Sequence, residues 1–471
     1  MVPEILETLR VHGIKWTSVE VFRIGYAGEV DLPVVLWVGV LPGTLTDEEG
    51  TPLPAAGEAA SACKEVLGGY GVFDVECELK ESHVHRDAIP TLVQPSAYSS
   101  PVVDVSVFLT PTIGTCISAK NSPKEGTFGL YLTFPDHPGK IFGVTCRHTV
   151  LPCFELENNT YRYRNRSQPR HLITLPGDRH LNLMKEHVVK GQQDQQLIVN
   201  EYQRRLDRLN DGSDVDGAKA RNCTRAIEEA RVTAQCFKQL GKELATRWKT
   251  PESRIIGHIV YSPPVDSSPT DNFTYDWCLY EIDVAKVRGF SGNIIDLGHE
   301  VTPETFKKAM NPDVRNPYKF VYPADRLLKV RNACIPLEEM RCPKTFTGDN
   351  VPYIPVFKRG KTTGITLGRA NEVTSYTRTY GSDGTPGSQE LVFQSQEWAI
   401  TGLEDFGFHT FSKRGDSGSL VVDAQGRMGG LITDGSSELE VNDVTYATPM
   451  VKLLADMERH GWRRPNANVD R

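Results

Sequence analysis

In the stretch SKRGDSGSLVVDAQGRMGGLITDG, Ser412 to Gly435, a serine stands between an aspartate and a glycine. Gly415 and Gly418 bracket Asp416-Ser417, so the backbone can bend sharply on both sides of one hydroxyl. That bend aims Ser417 outward and turns the amides of Gly415 and Ser417 toward one point, which is what a developing oxyanion needs. Gly, Asp and Ser also build ordinary turns, so the motif carries chemistry only if the chain supplies a base and an orienting acid. GKIFGVTCRHTVLP, Gly139 to Pro152, offers the base: a strand from Ile141 to Cys146 delivers His148, one of 12 histidines. DNFTYDWCLYEID, Asp271 to Asp283, offers the acid: Asp276 opens a run with Trp277, Leu279 and Ile282 as its apolar positions. Read structurally, His148 is a histidine beside a strand and Asp276 a turn cap, with Asp271 and Asp283 as nearby competitors.

These side chains need strands to hold them. After the glycine-bracketed turn, Leu420, Val421 and Val422 predict a strand, Gln425-Gly426 a turn, and Met428 to Ile432 the returning strand of a hairpin.

The chain order His148, Asp276, Ser417 resembles that of the chymotrypsin-like serine peptidases. VTCRHTV is similar to that family's Thr-x-x-His stretch, DWCLYEI to its Asp-x-Ala-Leu strand and GDSGS to its nucleophile turn. KRGKTTGITLG, Lys358 to Gly368, resembles the Gly-x-Thr-Thr-Gly strand that opens the second barrel in bacterial relatives. VTYATPM resembles the closing strand and PMVKLLADMERHGW the terminal helix. The resemblance spans roughly residues 105 to 462 apart from an insertion. It implies a mainly β fold, a double antiparallel β-barrel of the chymotrypsin type, and a serine endopeptidase without cofactor or metal.

In that reading His148 takes the Ser417 proton and returns it to the leaving group, while Asp276 holds the imidazole tautomer. The Gly415 and Ser417 amides bind the oxyanion, and substrate backbone pairs as an added strand with Thr433 and Gly435. Phe411, Ser412, Thr433, Asp434 and Gly435 are expected around the primary pocket. Phe411 and Ser412 offer no buried charge there, which favours an uncharged substrate side chain. A non-catalytic peptide- or protein-binding module on the same scaffold is the alternative, and an esterase would use the same residues.

Composition bears on partners and compartment. The 471 residues are 39% hydrophobic with a net charge of −7, which fits a multi-domain soluble protein and gives no support to nucleic-acid binding. No run approaches the roughly 18 apolar residues of a membrane span. MVPEILETLRVHGIKW lacks the charged start and apolar core of a secretory signal. Ten cysteines without a C-x-x-C pair argue against zinc and read as free thiols in a cytoplasmic enzyme. No Ile-Val-Gly-Gly-like junction precedes the first barrel, so activation by an N-terminal cut is not expected, and Asp416 serves the turn itself.

Four regions follow. Residues 1–100 read as a small α/β domain: strands in SVEVFRIGY and LPVVLWVGVLPG, a helix in GEAASACKEVLGGYG, and a third strand in VFDVECELKES. Residues 101–290 hold the first barrel, interrupted at about 190–250 by an α-helical hairpin. Ile198, Tyr202, Leu206 and Leu209 mark one helical face, and Ala226, Ala230, Phe237, Leu240, Leu244 and Trp248 the other. Residues 291–345 connect the barrels, with a helix at TPETFKKAM capped by Thr302. Residues 346–471 hold the second barrel and the C-terminal helix. The hairpin and the N-terminal domain are the expected docking places for a protein partner.

Overall fold

The computed structural model describes residues 1–23, 32–41, 44–45, 53–81, 91–95, 101–151, 158–165, 167–210, 217–267, 271–287, 292–312, 319–347, 350–381, 390–436 and 444–469. The chain divides into two units, Met1–Ala88 and Ile89–Arg471, the first ending twelve residues earlier than the sequence suggests.

The first unit opens with a helix absent from the sequence reading, α1 (Val2–Val11), with Pro3 in its first turn. Strands β1 (Trp16–Arg23), β2 (Val34–Val40) and β3 (Val75–Glu81) form one sheet in that order, and α2 (Pro54–Gly69) lies between β2 and β3 in the chain. β1 and β2 are antiparallel, whereas β2 and β3 are parallel, as a helical crossover permits. Ala59, Cys63 and Leu67 come round at spacing four and are buried with Ile5, Leu9, Leu36 and Val38. The expected β-β-α-β order is therefore present, with α1 packed into the same core.

In the second unit, β4 (Cys116–Ala119), β5 (Gly126–Thr127), β6 (Leu130–Leu132), β7 (Phe142–Thr145), β8 (Leu172–Thr174), β9 (Ile255–Ser262) and β10 (Cys278–Ile282) form one sheet. Its order is β5-β4-β8-β9-β10-β7-β6. Residues 126–132 pair with β4 through their first part and with β7 through their second, which brings the two sheet ends together. The second sheet contains β11 (Pro352–Gly360), β12 (Gly364–Ala370), β13 (Glu390–Gly402), β14 (Leu420–Asp423), β15 (Met428–Gly435) and β16 (Thr445–Pro449). They run β11-β12-β13-β16-β15-β14, and β14 returns to pair with β11, closing a six-stranded ring. This is the double antiparallel barrel that the sequence predicts. The C-terminal helix, Met450–Arg459, follows β16 directly, and Trp277 Nε1 donates to its Asp456 at 2.7 Å.

The helical insertion is longer and better rooted than its apolar stripes suggest. α3 (Asp178–Asn210) and α4 (Gly217–Thr246) pack as a hairpin, and the joining turn at 211–216 lies outside the described residues. Leu181, Met184 and Val188 of α3, with Leu240, Leu244 and Trp248, belong to the same buried cluster as the first barrel. A Cβ on Gly191 would lie 2.5 Å from the Phe237 ring, so glycine permits this close helix approach. Farther along, Ile198 is 36% exposed. The hairpin is thus core at its base, and farther out Cys223, Ile227 and Ala230 of α4 stay buried while Ile198 of α3 is exposed. Between the barrels, Pro303–Met310 is helical and Thr302 Oγ1 caps the Thr305 amide at 3.2 Å, as expected.

Candidate active site

β7 ends at Thr145, and a single helical turn, Arg147–Val150, carries His148 beyond the sheet. Asp276 sits just before β10, the strand paired with β7 through Cys278 and Thr145. That register puts the carboxylate under the histidine. Asp276 Oδ1 accepts the His148 backbone amide at 3.1 Å, and Oδ2 engages the ring Nδ1. The carboxylate side chain is 5% exposed and the imidazole 39%. A proton on Nδ1, held by Oδ2, leaves Nε2 as the basic nitrogen. Burial lowers the His148 pKa, but the Asp276 charge and hydrogen bond, with Asp434 farther off, outweigh it and hold the ring above an ordinary histidine.

The competing aspartates are occupied elsewhere. Asp271 accepts the Tyr275 hydroxyl at 3.0 and 3.1 Å and pairs with Lys452 at 3.1 Å. Asp283 caps the Ala285 amide at 3.0 Å.

Ser417 lies in the turn that leads into β14. Gly415 and Gly418 take φ of 101° and 90°, conformations that favour glycine. At Gly418 a Cβ would also fall 2.5 Å from Thr127 O and 2.4 Å from Thr145 Oγ1, so the turn is pressed against the first barrel. Thr127 N donates to Ser417 O at 2.9 Å, and Cys146 Sγ donates to Ile432 O at 3.1 Å. The elements bearing His148 and Ser417 therefore meet along β15. Ser417 Oγ donates to Thr433 O at 3.4 Å, and no hydrogen bond joins it to His148 among the described residues. The amides of Gly415 and Ser417 likewise have no protein acceptor among those residues.

Beneath the turn is a pair that sequence reasoning missed. Asp416 and Lys358 are both fully buried, with Nζ 3.2 Å from Oδ2. Asp416 also accepts from Thr362 N at 2.8 Å, Lys413 N at 3.0 Å and Thr363 Oγ1 at 2.6 Å. Asp416 serves the turn, as expected, but with an internal lysine as its counter-charge. The signal was a lysine that directly follows the apolar strand residues Ile354 to Phe357.

The expected pocket residues separate into two groups. Phe411 is fully buried in the second barrel's core against Gly368, so its ring is not available to a ligand. Core packing claims the ring because Gly368 leaves room for it. Ser412 is buried, with Oγ 2.7 Å from Thr445 Oγ1, an uncharged pair of hydroxyls. Thr433 is buried, whereas Asp434 and Gly435 are exposed. Asp434 Oδ1 accepts its neighbour's amide, Gly435 N, at 2.8 Å.

A second unanticipated group is Glu397 on β13. Its Oε1 accepts from Ser395 Oγ at 2.8 Å and from Oγ1 of Thr274, two residues before Asp276, at 2.5 Å. Oε2 is buried without a hydrogen-bond partner among the described residues. Burial pushes this carboxyl up to about 7, opposed by the two hydroxyls and assisted by the charges of Asp434 and Asp276. The nine described cysteines are free thiols, and Cys153 lies outside the described residues.

No protein-family model matches the sequence, and no curated protein matches it. Among solved structures the chain is similar to Thermobifida fusca Protease A, at 9% identity over 74% of this chain and 95% of that one, with a TM-score of 0.28. It is also similar to Nocardiopsis Protease, at 10% over 74% and 96%, TM-score 0.30. The active form of the Rv3671c protease from M. tuberculosis aligns at 11% over 82% and 96%, TM-score 0.27. Likenesses this slight carry no argument, and the fold rests on the strand order and barrel closure above. On that topology, Ile89–Arg471 has the double-barrel fold of the chymotrypsin-like serine peptidases.

Proposed function

We propose that the protein is a serine endopeptidase in which His148, Asp276 and Ser417 form a triad. The observation that carries this reading is the double grip of Asp276 on His148, through the backbone amide and Nδ1. A carboxylate that only capped a turn would not need to fix the ring's tautomer as well. Ser417 Oγ turns from Thr433 O to His148 Nε2, gives up its proton and attacks the scissile carbonyl. The unengaged amides of Gly415 and Ser417 receive the oxyanion. Protonated His148 then returns the proton to the leaving amine, and water completes hydrolysis of the acyl-enzyme. Substrate backbone lies along Thr433 to Gly435. The Ser412–Thr445 hydroxyl pair supports an uncharged primary side chain.

One observation favours the other reading, a peptide-binding module: Ser417 Oγ rests on a carbonyl and not on the imidazole. A phosphonate probe separates the two, because only a serine with a working base and oxyanion hole reacts readily. The full-length chain, in reductant and uncut, is expected to label covalently. Ser417→Ala abolishes the label and His148→Ala nearly so, with both variants folded. A folded wild type that never labels overturns the peptidase reading in favour of the binding module.

A further inference from the structure

The two hole amides belong to two peptide planes. In a trans peptide the carbonyl and the amide point to opposite sides, so whatever holds the carbonyl aims the N–H. The plane that carries Ser417 N–H is held at Asp416 O, which accepts Ser419 N at 2.9 Å and Ser419 Oγ at 2.6 Å. The intervening plane is held at Gly415 O, which accepts Thr127 Oγ1 at 3.0 Å, and at Asp416 N, which donates to Lys413 O at 2.9 Å. The plane that carries Gly415 N–H is held differently. Among the described residues its carbonyl, Arg414 O, accepts one hydrogen bond, from Thr362 Oγ1 at 2.8 Å, and that bond is solvent-exposed. Among the described residues the backbone supplies no second restraint there. Gly415 has φ 101°, and a residue without Cβ turns its preceding peptide over at little steric cost.

Resting on the peptidase reading above, we propose that Thr362 is a positioning residue for the oxyanion hole. Its hydroxyl holds the Arg414–Gly415 peptide with the Gly415 amide facing the cleft. Thr362 is well placed to act as an anchor because its own loop is fixed on both sides. Thr362 N and Thr363 N both donate to the buried Asp416 carboxylate, at 2.8 and 3.3 Å. On the other side, Lys361 N donates to Thr127 Oγ1 at 3.1 Å, and Lys361 Nζ pairs with buried Glu125 at 2.9 Å. A Cβ on Gly415 would sit 2.5 Å from Thr362 Oγ1, so glycine is also what lets the hydroxyl come this close.

Thr362→Val keeps the shape and removes the hydroxyl, and Thr362→Ser keeps the hydroxyl. Both are made in the full chain and assayed on a peptide substrate, with a peptide boronate reporting the tetrahedral adduct and the product peptide reporting ground-state binding. Removing one oxyanion donor costs about 10²- to 10³-fold in kcat, and the valine variant is expected to lose roughly that, with KM changed by less than about threefold. Boronate affinity falls in parallel while product affinity holds, and the serine variant recovers to within about tenfold. Equal losses in boronate and product binding, or a serine variant as impaired as the valine, reveal a merely structural role and overturn the proposal. So does an active wild type whose valine variant keeps its kcat, and that result leaves the peptidase reading standing. A wild type that neither cleaves nor labels overturns the peptidase reading and this one with it.

Discussion

The two halves of the site are held in opposite ways. His148 stands on one helical turn at the end of β7, 39% exposed, and among the described residues its ring is restrained by a single carboxylate. The turn from Arg414 to Gly418 has each carbonyl from Arg414 to Ser417 bonded, and a fully buried ion pair lies below it. The proposed chemistry calls for this contrast. Oxyanion donors gain their advantage by not reorganising when charge appears. An imidazole must take up a proton and release it elsewhere, so it is better oriented by one tunable partner than locked by many.

Removing that one partner has the largest expected effect. Asp276→Asn leaves the shape but permits the wrong tautomer, and kcat is expected to fall about 10⁴-fold. The pH profile sharpens the attribution. Asp276 holds His148 above the ordinary 6.5, so the wild-type acid limb lies above that value, activity being lost as pH falls through it. In the asparagine variant the raising charge is gone, and the limb moves down. A variant whose acid limb stays where the wild type's is would show that another group titrates.

Breaking the turn is expected to cost stability as well as rate. Lys358→Met leaves Asp416 charged in a fully buried site, and removing one partner of a buried pair costs about 3–5 kcal/mol. The amide and hydroxyl donors around Asp416 place the expectation near the lower end, about 3 kcal/mol by urea unfolding. Probe labelling should fall with it even where the variant stays folded. A fully folded variant that labels like wild type would mean that the surrounding donors alone hold the turn.

The two halves also differed in how far the sequence revealed them. The placement of His148, Asp276 and Ser417 was open to expectation because each lies two or three residues from a strand whose apolar residues are visible along the chain. Asp276 could be preferred to Asp283 because it stands just before the apolar run, with Asp283 at the run's far end. The turn's supports were hidden because they are partners distant in sequence: Thr127 reaches Gly415 across 288 positions, and no local periodicity encodes that. Lys358 left a faint mark, a charge inside an apolar strand. Phe411 was misplaced because a position shortly before Ser417 says nothing about which way a ring points, and here Gly368 opens the core to it. The root of the helical hairpin was missed for a related reason. Leu181, Met184 and Val188 have helical spacing, but only contact with Leu240, Leu244 and Trp248 makes them part of the barrel's core.

The smallest expected effect concerns Glu397, which stands close behind the acid side and belongs to neither half. Its folded pKa of about 7 lies above the ordinary 4.5 of a glutamate. A carboxyl shifted upward binds its proton more tightly in the folded state, so stability falls as pH rises from the unfolded value to the folded one and is level beyond. A shift of this size corresponds to at most about 3 kcal/mol between those limits. A glutamine side chain would keep an acceptor for Thr274 and Ser395 and never ionise. Glu397→Gln should therefore leave stability nearly unchanged near pH 5 and raise it by about 1–3 kcal/mol near pH 8, read from urea midpoints. It should change kcat by less than about tenfold, since Glu397 reaches Asp276 only through Thr274 and through space. The discriminating result is the dependence on pH. If wild type and the E397Q variant differ by the same amount near pH 5 and near pH 8, the carboxyl is ionised throughout, and a compensating charge holds it that the shell of Thr274, Ser395, Asp276 and Asp434 does not contain.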